Sequence, residues 1–137
     1  MNKTSVLFVC THNSARSQMA EGLLNHLCGD RYEAFSAGTE QTRVHPLAIE
    51  AMQRIGIDIS GHESKIVDRF GDRLFDIVIT VCDLARATCP FVPARMERLH
   101  WPLEDPSSAT GTREQQLAVF EKVREEIRQK IIEQFGL

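Results

Sequence analysis

No stretch of this 137-residue chain is apolar for the roughly 20 residues that a membrane-spanning helix needs. The segment before Cys10 has one lysine and a short apolar run, without the length or the small-residue cleavage site of a signal peptide. A cytoplasmic protein without membrane attachment is therefore expected. Positive charge is not in excess either. The formal net charge is −3, which argues against a chain built to coat nucleic acid, so any anion site must be argued from particular residues. The four cysteines contain no C-x-x-C pair, and a tight zinc site needs its ligands arranged otherwise. Neither a metal nor a cofactor is expected. Repeats and low-complexity linkers are also missing, so residues 1–137 read as one domain.

In a reducing compartment permanent disulfides are not expected. Catalysis, metal binding or plain packing must then account for Cys10, Cys28, Cys82 and Cys89. Cys28 falls late in a helical pattern, in "NHLCGD", and reads as a small buried hydrophobe.

What the chain does have is alternation. Ser5 to Val9 is a continuous apolar run rich in β-branched and aromatic residues, the pattern of a buried parallel strand. Ser14 to Leu27 puts Ala15, Met19, Leu23 and Leu27 near one helical face. "YEAFSAG" (Tyr32 to Gly38) reads as a short strand, and a helix starts near Pro46 and stops at Gly56. "DIVITVC" (Asp76 to Cys82) is the next buried strand, and a fourth apolar segment centres on Leu99. The last helix follows Gly111, with Leu117, Phe120, Val123, Ile127 and Ile131 on one face. Strands alternating with helices imply an α/β fold, a four-stranded parallel sheet flanked by helices on both faces. Ligands of such sheets bind beyond the carboxyl ends of the strands. Cys10, Cys82 and Asp105 would all stand at that edge.

Cys10 ends the first strand, and Arg16 opens the helix after Thr11, His12, Asn13, Ser14 and Ala15. A short loop wrapped before a helix N-terminus aims several backbone N–H groups at one point, and the helix end adds partial positive charge. Arg16 can grip two oxygens of a tetrahedral oxyanion at once. The same field stabilises a thiolate on Cys10, and Ser17 is placed to donate a hydrogen bond to it. A departing oxygen needs a proton, and Asp105 in "EDP" is the candidate general acid, with Glu104 as its competitor.

These residues resemble a family. "VCTHNSARSQMAEG" is similar to the signature loop of low-molecular-weight protein tyrosine phosphatases and of the arsenate reductases that share their fold, and "EDP" matches their acid loop. "SAG", "HP.A...M...GIDISGH" and "ITVC" fit in the same order, so the resemblance covers nearly the whole chain. The loop does not choose between phosphatase and reductase. "VCDLARATCP", with six residues between Cys82 and Cys89, resembles the three-cysteine reductases. That resemblance implies that Cys10 attacks arsenate, Cys82 attacks the Cys10 sulfur as arsenite leaves, and Cys89 then attacks Cys82. It also implies that a thioredoxin-type partner, or a glutaredoxin, reduces the final Cys82–Cys89 disulfide. A disulfide needs Cα atoms within about 7 Å, while seven residues of straight helix rise about 10 Å. "DLARAT" is therefore expected to unwind or bulge during turnover.

The chain departs from the family at several positions. Ala15 stands where many relatives carry a further cysteine, and His12 replaces a common glycine. Some of the reductases bind potassium near the loop. Asn13, Glu21 and Ser36 match that site in part, but Glu63 and Lys65 stand where a threonine and an aspartate are expected. A lysine ammonium in place of the ion predicts no tight potassium site. His62 is read as structural. "DPSSAT" has no tyrosine pair after the acid loop, so a crowded aromatic cleft for phosphotyrosine is not foreseen, although Trp101 and Phe91 are available. The leading expectation is a monomeric arsenate reductase with weak phosphatase activity. A low-molecular-weight phosphatase is the alternative, and a non-enzymatic anion-binding or redox-sensing module is the third.

Overall fold

The computed structural model describes residues 3–82 and 92–136. Four strands, β1 (Thr4–Cys10), β2 (Tyr32–Gly38), β3 (Phe75–Thr80) and β4 (Ala94–His100), form one parallel sheet in the order β2-β1-β3-β4. Among the described residues three α-helices, α1 (Arg16–Cys28), α2 (Pro46–Gln53) and α3 (Arg113–Phe135), accompany them. β1 is central, and every residue from Val6 to Cys10 is buried. This is why its sequence is continuously apolar rather than alternating.

The two faces of the sheet are covered differently. Val6, Phe8, Ile77 and Ile79 pack with Met19, Leu23, Ala48, Met52, Phe120 and Ile127, which brings all three α-helices onto one face. Leu7, Val9, Ala37, Phe75 and Val78 point the other way, where the 3₁₀ turn Val67–Phe70 supplies Val67 and Phe70 as cover. Helical elements thus flank the sheet on both sides.

Local chemistry sets the ends of the elements. Pro46 occupies the first turn of α2, and the imidazole Nδ1 of His45 accepts the Leu47 N–H there. A capping box starts α3: Thr112 Oγ1 accepts the Gln115 N–H while Gln115 Oε1 accepts the Thr112 N–H. Some boundaries move from the pattern. α1 starts at Arg16 rather than Ser14, and α2 ends at Gln53, with turns leading to Gly56 at φ 79°. β3 closes at Thr80, so Cys82 lies just past the strand. β4 is an edge strand whose Arg95, Met96, Glu97 and Arg98 are exposed. Charged residues at an edge discourage pairing with other chains. Within the strand, Leu99 is the residue that packs on the main core.

Candidate functional site

The loop between β1 and α1 is built by sending its carbonyls outward. Thr11 O accepts from the N–H groups of Thr39 and Glu40, at 2.9 and 3.0 Å, and Ser14 O accepts from His45 N–H at 3.0 Å. His12 O takes the hydroxyls of Thr42 and Ser64, at 3.0 and 3.1 Å, and Asn13 O takes Gln18 Nε2 at 3.2 Å. Ala15 O accepts the Met19 N–H at 2.9 Å. The backbone N–H groups of residues 12–17, in contrast, donate to no other described residue. Several of them belong to fully buried residues such as Asn13 and Ser17. Buried N–H groups without a partner are costly, and a concave run of them is an anion cradle. The bend is made at Asn13, with φ +48°, a left-handed conformation that asparagine tolerates.

The Asn13 side chain then orders the surroundings of Cys10. Lys65 N–H, which can only donate, lies 2.7 Å from Asn13 Oδ1, and Gln18 Nε2 donates to the same oxygen at 2.9 Å. This fixes the amide, so Nδ2 donates to Ser17 Oγ at 2.8 Å. With that hydrogen bond accepted, the Ser17 hydroxyl keeps its own hydrogen available for the Cys10 sulfur, 2.9 Å away. His62 Nδ1 lies 3.1 Å from Gln18 Oε1 and 3.2 Å from Glu21 Oε2, so it carries a proton toward two acceptors and holds Gln18 in this orientation.

Arg16 is buried at the first position of α1. Its Nη1 donates to Leu103 O at 3.1 Å, and its Nη2 lies 3.8 Å from Asp105 Oδ2. Asp105 Oδ1 accepts the Ser107 N–H and hydroxyl at 3.0 and 2.7 Å, which caps the 3₁₀ turn Pro106–Ser108 and leaves Oδ2 facing Arg16. Glu104 turns away to an exposed ion pair with Lys122 at 3.0 Å. Gly38, at the end of β2, supports the loop from behind. A Cβ there would lie 2.6 Å from Thr11 O, 2.7 Å from Cys10 O and 2.8 Å from Asn13 N.

The structure thus brings Cys10, Asn13, Arg16, Ser17 and Asp105 together. Cys82 is buried near the same carboxyl edge, just past the end of the strand adjacent to β1, its sulfur 3.9 Å from Val9 O. Cys89, the rest of "DLARAT" and Phe91 lie outside the described residues. Cys28 is buried, and burial pushes its thiol up, with Arg31 partly offsetting the effect. His12 faces solvent and meets Glu40 at 2.8 Å. Where some reductases bind potassium, Lys65 Nζ donates to Glu63 O at 3.0 Å and stands 3.9 Å from Glu21 Oε1, which also accepts the Ser36 hydroxyl at 2.7 Å. Sequence reasoning did not assign Gln18 or the Lys65 N–H to the site. Lys65 N–H reaches Asn13 from 52 positions away, and Gln18, which donates to nearby Asn13, is also anchored on Glu63 O, 45 positions away.

A family model for low molecular weight phosphotyrosine protein phosphatase matches residues 5–135. The chain belongs to this family. It is also 46% identical, over 131 residues, to a protein of Halalkalibacterium halodurans named arsenate reductase, a match that covers 96% of this chain and 94% of that one. A solved structure described as an arsenate reductase in the phosphate binding state superposes with a TM-score of 0.81 at 36% identity, covering 97% of each chain. A thioredoxin-dependent arsenate reductase of Corynebacterium glutamicum gives 0.70 at 30% identity, over 98% of this chain and 64% of that one. Among the described residues, no helix is long and apolar enough to cross a membrane.

Proposed function

We propose that this chain is an arsenate reductase that works through a three-thiol relay. The observation that carries the reading is the Cys10 sulfur held by the Ser17 hydroxyl at the mouth of a loop of open N–H groups, with Cys82 near the same sheet edge. The names of the relatives support arsenate as the substrate.

The cradle and Arg16 bind the oxyanion. The Cys10 thiolate attacks arsenic, forming an S–As bond, and one oxygen leaves as water after taking a proton from Asp105. The Cys82 thiolate then attacks the Cys10 sulfur. As the S–As bond breaks, its electron pair stays on arsenic, so As(V) becomes As(III) and arsenite departs. Two thiols have become one Cys10–Cys82 disulfide, which accounts for the two electrons. Cys89 attacks Cys82, releases the Cys10 thiolate and moves the disulfide outward. A thioredoxin-type dithiol, or a glutaredoxin, takes up the oxidation, and the thioredoxin-dependent relative supports the first choice. We take residues 1–137 as one monomeric domain acting in the cytoplasm, where thiols stay reduced.

The family model favours a second activity. The cradle binds a phosphate monoester, the Cys10 thiolate attacks phosphorus to form an S–P bond as Asp105 protonates the departing alcohol, and water then attacks phosphorus to release phosphate and return the thiolate. Ser107 and Ser108 follow "DP" in place of aromatic walls, so this hydrolysis is expected to be weak.

The test is arsenite production coupled to thioredoxin, thioredoxin reductase and NADPH, repeated with glutaredoxin. Cys82→Ser and Cys89→Ser should abolish arsenate turnover and spare phosphate-ester hydrolysis, while Cys10→Ser should abolish both. Arsenate turnover unaffected by changes at residues 82 and 89 would overturn the relay.

A further inference from the structure

Beside the anion loop lies an open cleft of about 380 Å³, lined by His12, Ser14, Thr42, Arg43, His45, Pro46 and Ser107. Arsenate alone does not need it, because the cradle of N–H groups is formed within the loop. Most polar groups of the cleft are already engaged. The Thr42 hydroxyl donates to His12 O, the Ser107 hydroxyl donates to Asp105, and His12 Nδ1 meets Glu40. His45 Nδ1 accepts the Leu47 N–H, so its other nitrogen, Nε2, carries the hydrogen and remains a donor.

Arg43 stands apart. Arg54, Arg69, Arg113 and Arg124 each meet a carboxylate, whereas Arg43 makes no ion pair and no side-chain hydrogen bond to another described residue. The open groups of the cleft are thus led by donors, the five N–H bonds of a guanidinium and one imidazole N–H. No phenylalanine, tyrosine or tryptophan lines it. An open guanidinium, whose planar fork suits paired oxygens, beside walls that carry no aromatic ring calls for a carboxylate rather than an aryl group.

We propose that this cleft binds a carboxylate carried on the non-transferred part of a small phosphate monoester, with Arg43 as its main contact. The chain then selects small carboxylate-bearing phosphomonoesters over aryl phosphates. The proposal rests on the anion-loop part of the function above and not on the thiol relay.

Calorimetry of the full chain with phosphonopropionate and with propylphosphonate tests it. The two ligands share a phosphonate and differ by carboxylate against methyl. The expected result is tighter binding of the carboxylate ligand, by roughly tenfold for one charge-assisted pair. That ratio should fall toward one in Arg43→Gln and be kept in part by Arg43→Lys. An equal affinity for both ligands in the unchanged protein overturns the proposal, as does a ratio that survives in Arg43→Gln. Inorganic phosphate separates the two readings. If it binds while the ratio is one, the cleft proposal alone falls. If neither phosphate nor either phosphonate binds, the anion-loop reading is overturned and takes the cleft proposal with it.

Discussion

The Ser17 hydroxyl oxygen lies 2.9 Å from the Cys10 sulfur and accepts from Asn13 Nδ2 at 2.8 Å, so its own hydrogen is available to a Cys10 thiolate. Ser17→Ala removes the donor with little change of volume. A hydrogen bond to a charged group contributes about 1.5–3 kcal/mol, so turnover should fall roughly 10- to 100-fold. Alkylation of Cys10 by iodoacetamide near neutral pH, read by mass spectrometry of its peptide, should slow in parallel. An unchanged alkylation rate would show that the serine does not stabilise the thiolate.

Asp105 is fixed through one oxygen by Ser107, and its other oxygen stands over Arg16. Asp105→Asn keeps an acceptor for Ser107 and loses the acidic proton. Phosphate-ester hydrolysis should drop by about 100-fold or more for alkyl esters, whose alcohols need protonation, and less for nitrophenyl esters, which leave unaided. Equal losses on both would remove the general-acid role.

Gly38 has no room for a side chain. A Cβ would stand within 2.6 to 2.8 Å of backbone atoms of Cys10, Thr11 and Asn13, and backbone cannot rotate out of the way as a side-chain tip can. Gly38→Ala should therefore shift the loop. Phosphate affinity measured by calorimetry is expected to fall at least tenfold, because the cradle depends on aligned N–H groups. A variant that binds phosphate normally would mean that the loop yields without losing its shape.

His45 titrates with a defined sign. Burial lowers its pKa from the usual 6.5, Asp105 opposes the shift, and Arg43 adds to it. Below about pH 6.5 the unfolded chain takes up a proton that the native imidazole resists, so native stability falls as pH drops toward the lowered native value. His45→Asn keeps a side-chain cap for α2 without the titration. Urea unfolding at pH 7.5 and 5.5 should show the unchanged protein losing more stability than the variant. Equal losses would contradict the assignment.

The sequence showed the outline of this site because its chemistry is local. Cys10, Asn13, Arg16 and Ser17 fall within eight residues of a strand–loop–helix junction, and each residue type is unusual there for a reason that chemistry supplies. The contacts that set direction were hidden, because they join distant parts of the chain. Lys65 reaches Asn13 through a backbone N–H, which no side-chain pattern reveals, and Gly38 matters for what it lacks. The sheet was legible where both faces are buried, as in β1. It was less so at β4, where an edge position exposes Arg95, Met96, Glu97 and Arg98 and leaves Leu99 as the inward signal. The end of β3 was placed two residues late because "ITVC" stays apolar while Val81 and Cys82 leave the strand for buried positions beyond it.

A single encounter with arsenate shows where the oxidation goes. Fully reduced protein should be mixed with one equivalent of arsenate and no external reductant, then quenched in acid and its disulfides mapped by peptide mass spectrometry. The relay predicts one arsenite per chain and a Cys82–Cys89 disulfide with Cys10 returned to the thiol, while Cys89→Ser stops at Cys10–Cys82. Arsenite released with no disulfide at residue 82, or three cysteines still reduced after exposure to arsenate, would contradict it.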